Sequence, residues 1–165
     1  MTTTAKGRTA AGLLLLALAG KAHGALVAAK PSDVVTIAGY PLLTGACPVG
    51  LGVDSTIINR AMKPDGSVSP TFTIPAGKVL VVTGIEWEAQ AETPGTHVGG
   101  QLYRGAADGS TVYIGEVVVG PSGHGSTAAV IPNAIIKSGT PVCFATTIEG
   151  SGPNVVVHGF LTTDR

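Results

Sequence analysis

From Thr83 to Glu92 the chain alternates: Ile85, Trp87, Ala89 and Ala91 hold one set of positions, and Glu86, Glu88, Gln90 and Glu92 hold the other. A period of two belongs to a strand whose successive side chains leave opposite faces, so one set faces a core and the acidic set faces water. Just before it, Val79-Leu80-Val81-Val82 is apolar at every position. That end of the strand, expected over Lys78 to about Ala91, is therefore predicted to be covered on both sides.

Shorter apolar runs repeat along the rest of the chain. Candidate strands are Ser55 to Met62, Thr71 to Ile74, Val98 to Arg104, Thr111 to Val119, Ser126 to Ile131, Ala134 to Lys137, Val142 to Ile148 and Asn154 to Thr163. Between them stand turn-forming groups: Lys63-Pro64-Asp65-Gly66, Pro75-Ala76-Gly77, Gly105 to Gly109, Gly120 to Gly125 and Glu149 to Pro153. Eight or nine short strands separated by turn chemistry predict an all-β domain, a single antiparallel sandwich or barrel. No repeat of fixed length is visible, which argues against a propeller or solenoid.

One apolar run does not fit a strand. Lys6 and Arg8 precede Ala10 to Ala19, with Leu13 to Leu16 at the centre, and Ala22-His23-Gly24 then offers small residues at the spacing a signal peptidase uses. Ten apolar residues closed by Gly20 and Lys21 are too few for a membrane span, which takes about 20. Residues 1–24 read as a secretory signal, with cleavage as late as Ala29. Residues 25–54 are then an N-terminal arm or strand, and residues 55–165 the sandwich domain. The expected location is secreted, periplasmic or extracellular.

Composition sharpens this picture. The chain holds 24 Gly and 11 Pro with only 12% charged residues, a poor supply of helix formers. Removing Lys6, Arg8 and Lys21 with the signal takes the 10 basic residues to 7 against 10 acidic ones, a net charge of −3. An acidic domain lacks the electrostatic footprint for phosphate backbones, so nucleic acid is not an expected partner. Cys47 and Cys143 are the only two cysteines. In an oxidising compartment they are expected to pair, and the competing reading is a buried Cys143 with Cys47 free.

Phe72-Thr73-Ile74-Pro75-Ala76-Gly77-Lys78-Val79-Leu80-Val81-Val82-Thr83 resembles the strand-turn-strand entry of small jelly-roll domains in secreted bacterial and phage proteins. Ile136 to Cys143, followed by Val155 to Leu161, is similar to the way such domains close. The resemblance spans about residues 70 to 163. It implies a jelly-roll-like fold and transfers no functional residue.

The acidic row Glu86, Glu88 and Glu92 with Gln90 is the main candidate for chemistry. Hard cations take several carboxylate oxygens, so Glu86 and Glu88 are candidate calcium ligands, and the row could equally hold sugar hydroxyls. A carboxylate pair also serves glycoside hydrolysis, which makes a hydrolase using Glu86 or Glu88 one alternative. The plainer reading is a solvated face that keeps a sheet soluble. Tyr103 and Tyr113 flank a turn and are candidates for an exposed aromatic pair, against cross-strand packing in a hairpin. His97, His124 and His158 show no metal-ligand spacing; the first two are expected at loops or strand ends, and His158 as a hydrogen-bonded sheet residue. Gly120-Pro121-Ser122-Gly123 lacks the second spaced glycine of a nucleophile elbow. Together these readings favour a non-catalytic binding or surface-interaction module for carbohydrate or another cell-surface component. The structural alternative is an assembly subunit of a fibre, coat or trimer.

Overall fold

The computed structural model describes residues 30–40, 47, 54–63, 65–103 and 110–164. The signal expected at 1–24 and the turn at 105–109 lie outside these residues. A short 3-10 turn, Pro31–Asp33, leads into ten strands: β1 Val34–Gly39, β2 Asp54–Ile57, β3 Arg60–Met62, β4 Val68–Ser69, β5 Lys78–Gln90, β6 His97–Tyr103, β7 Thr111–Val118, β8 His124–Lys137, β9 Cys143–Thr146 and β10 Asn154–Thr163. They form an antiparallel six-stranded sheet in the order β4-β3-β1-β10-β5-β8 and a four-stranded sheet in the order β2-β9-β6-β7.

The two sheets share one apolar core. Ile37, Leu80, Val82, Ile85, Trp87, Ala89 and Val157 from the larger sheet meet Val98, Leu102, Val117 and Phe144 from the smaller. Along β5 the alternation is as the sequence predicts: Ile85, Trp87 and Ala89 are buried, while Glu86 and Gln90 are exposed and Glu88 is half-buried. Val79 to Val82 are all buried. The change falls at Thr83, which is skipped in the pairing of β5 with β8 and with β10. An extra residue of this kind locally disrupts the ladder and turns the strand. At the covered end the turn Pro31–Asp33 packs against β10, and Lys78 Nζ reaches the buried Asp33 carboxylate at 3.1 Å.

Three expected boundaries change. Ser55 to Met62 is not one strand, because the chain crosses between sheets at Ile58-Asn59, where the Ile58 N–H donates to Val142 O. Thr71 to Ile74 forms no strand, although Ile74 is buried and Phe72 packs on the core. Conversely, 126–131 and 134–137 belong to one strand, β8, that continues through Pro132. β8 is an edge of its sheet, where a residue without an N–H is tolerated.

Cys47 and Cys143 form a disulfide. Cys143, Ala145 and Tyr103 lie on the outward face of the smaller sheet, yet all are buried in a second cluster with Cys47 and Ile57. The bridge thus seats Cys47 on the sheet's outer surface.

Candidate functional site

The outer face of the six-stranded sheet can be read as rows across the strands. One row runs Val68, Met62, Thr36, His158, Gly84, Val130, and the next runs Arg60, Ala38, Val156, Glu86, Ala128. A third takes Asn154, Glu88 and Ser126. Residues in one row share a face and a height along the strands, so residues distant in sequence become neighbours.

Two of the sequence candidates find partners here. His158 sits between Thr36 and Glu86, with Thr36 Oγ1 3.2 Å from Nδ1 and Glu86 Oε1 3.3 Å from Nε2. His124, the first residue of β8, brings Nδ1 to 2.6 Å from Glu88 Oε1. Between these pairs lies a shallow depression of about 410 Å³ lined by Glu86, Glu88, Ser126, Ala128, Asn154 and Val156. The carboxylates are thus not a row of unscreened like charges, since an imidazole from a neighbouring strand stands beside each. On the other sheet His97 and Glu116 pair in the same way.

The remaining candidates lie apart from this group. β5 ends at Gln90, an exposed residue opposite His124, and Glu92 falls in the bend that follows. Tyr103 and Tyr113 form no exposed pair. Tyr103 is 1% exposed in a cluster against which Cys47 and Ile57 pack, whereas Tyr113 is 59% exposed on β7. Among the described residues no group of three or more His, Cys, Asp or Glu could hold a metal ion. Calcium wants several free carboxylate oxygens, and the arrangement at Glu86 and Glu88 supplies two separate carboxylate–imidazole pairs instead.

The sequence placed His158 as a hydrogen-bonded sheet residue, and its bonds to Thr36 and Glu86 bear that out. It did not bring His124, Thr36 or Arg60 to this face, because their places depend on the pairing of β8, β1 and β3 with their neighbours.

Apolar exposure gathers on the same face. Val34, Tyr40, Met62, Val68, Val130 and Ile135 are six of the eight large hydrophobic residues exposed among the described residues, and each belongs to its rows or directly extends them. Val130 reaches 88% exposure. Arg60 spreads its guanidinium over the Tyr40 ring at 5.8 Å. The face thus carries apolar side chains, a cation near one edge and two carboxylates near the other.

No protein-family model, curated protein or solved structure matches the chain. Among the described residues no helix is long and apolar enough to cross a membrane.

Proposed function

We propose that the chain is a secreted, non-catalytic interaction module built as a jelly-roll sandwich, and that it works through the outer face of the six-stranded sheet. The observation that carries this reading is the concentration of exposed apolar side chains and His–Glu pairs on that one face. Single exposed hydrophobic residues are ordinary, while a cluster of them rimmed by polar groups marks an interaction site. The jelly-roll reading draws on the strand orders β1-β10-β5-β8 and β2-β9-β6-β7, in which strands close in sequence are dealt to alternate sheets. The secreted location draws on the Lys6 to Gly24 pattern and fits the Cys47–Cys143 bridge.

For a ligand, carboxylates, an amide and a hydroxyl around a shallow depression suit carbohydrate or another hydroxylated cell-surface component. The test is binding of the purified protein to a printed glycan panel and to fixed bacterial cells. Glu88→Gln and His124→Ala should abolish binding, while Tyr113→Ala on the opposite sheet should leave it intact. Loss with Tyr113→Ala alone, or no binding to any glycan or cell, would sink the proposal.

A second reading is favoured by the same apolar exposure: an assembly subunit whose sheet face packs on a neighbour.

A further inference from the structure

We infer that the outer face of the six-stranded sheet docks a second copy of this chain, face to face, about a two-fold axis that runs parallel to the strands between β1 and β10. This rests on reading that face as the interaction surface, and it names the partner. Such an axis leaves the height along the strands unchanged and reverses the strand order. It places β4 over β8, β3 over β5 and β1 over β10 of the other copy.

The rows are self-complementary under that operation. In the second row Arg60 falls on the other copy's Glu86 and the reverse contact repeats it, so one row yields two ion pairs. Between them stand only Ala38, which is buried, and Val156, which is half-buried. In the first row Met62, 39% exposed, falls on Gly84, and Val68 falls on Val130. An isologous contact requires this kind of reversal symmetry within one patch. An axis perpendicular to the strands would instead put Arg60 on Arg60 and Glu86 on Glu86, which like charges oppose.

Gly84 is an independent pointer. A glycine inside a strand is less stable than an alanine there, so its presence calls for a reason. Gly84 adjoins the irregularity at Thr83, but its φ is not positive, and the nearest neighbours an added Cβ would meet are Ala129 O at 3.7 Å and the His158 side chain at 4.0 Å, so one copy alone leaves room for a side chain there. In the docked pair the space above Gly84 receives Met62.

The expected dimer is reversible. Six strands about 4.8 Å apart and rows covering about 20 Å give a face on the order of 500 Å² per copy. A standard interface buries about 800 Å² per partner.

Sedimentation equilibrium of the full mature chain, from micromolar to millimolar, tests this. Wild type should show a concentration-dependent dimer. Arg60→Glu and Glu86→Lys should each weaken dimerisation at least ~10-fold, and the double variant, or an equimolar mixture of the two singles, should recover to within about threefold of wild type. Gly84→Val should remove the dimer while retaining the wild-type melting temperature. If Glu86→Lys does not fold, Arg60→Glu and Gly84→Val decide the matter. A strict monomer at millimolar concentration overturns the inference, as does a dimer indifferent to Gly84→Val or to the charge exchange. Glycan binding by monomeric Gly84→Val separates the outcomes: a module that binds sugar but never dimerises keeps the proposed function and loses only this partner.

Discussion

The rings of Trp87 and Phe144 meet across the gap between the two sheets, with centroids 5.1 Å apart and planes inclined by 51°. Gly100 on β6 makes that contact possible. A Cβ there would lie 2.5 Å from Phe144 Cζ and 2.7 Å from Trp87 Cζ2. Gly100→Ala should therefore overpack the core and cost about 1 to 3 kcal/mol. The check is a lower urea midpoint with an unchanged slope, and an alanine variant as stable as wild type would contradict the tight approach.

The disulfide joins residues 96 apart in sequence. Closing a loop of about 100 residues stabilises by up to roughly 4.7 kcal/mol in the chain-entropy model, and losing a native bridge from a small secreted domain typically costs 2 to 5 kcal/mol. The double variant Cys47→Ala/Cys143→Ala should fall in that range by chemical denaturation. It should also uncover Tyr103, giving faster iodination there than in wild type.

The ion pair at the covered end of β5 should respond unequally to loss of its two members. The Asp33 side chain is 6% exposed and that of Lys78 is 35% exposed. Removing the lysine strands a buried carboxylate, whereas removing the acid leaves an amine that can turn to water. Lys78→Met is thus expected to cost about 1 to 3 kcal/mol and Asp33→Asn less than about 1. Equal losses in thermal melts would count against this account.

Asp65 supplies a pH dependence with a definite sign. The Ser67 hydroxyl donates to its Oδ1 at 2.6 Å and the Ser67 N–H donates at 2.8 Å, and these bonds hold the carboxyl below its ordinary value. A carboxylate depressed in the folded state contributes stability that is full above its unfolded value and is lost as pH falls through the folded one. NMR titration of the Asp65 carboxyl carbon should show the depression, and Ser67→Ala should raise the midpoint toward the ordinary value. Identical midpoints in the two proteins would refute the cause.

Much of β5 was legible in sequence because the two faces of a strand demand different residues. Trp87 could be assigned to the core from its phase alone, and the apolar run at Val79 to Val82 announced a doubly covered end. The partners of Glu86 and Glu88 could not be read in the same way. His158 is 72 residues from Glu86, and His124 is 36 from Glu88. Only the register of β10 and β8 against β5 brings them together, and register is a property of the whole sheet. The exposed pair expected of Tyr103 and Tyr113 at their turn failed for another reason: Tyr103 does face outward, but the disulfide places Cys47 against it. The split of Ser55 to Met62 arose where a continuous polar-apolar run happens to change sheets at Ile58-Asn59.

The pairing of β1 with β10 sets Val34 opposite Phe160. The described chain therefore enters and leaves the domain side by side, at the end of the sheet remote from Glu88 and His124. Tethered from that end, the module would hold its His124 tip outward like a lamp on a double cord. It should also accept insertion into a loop of a host protein whose cut ends stand one strand spacing apart, roughly 5 Å, leaving the far tip free for display.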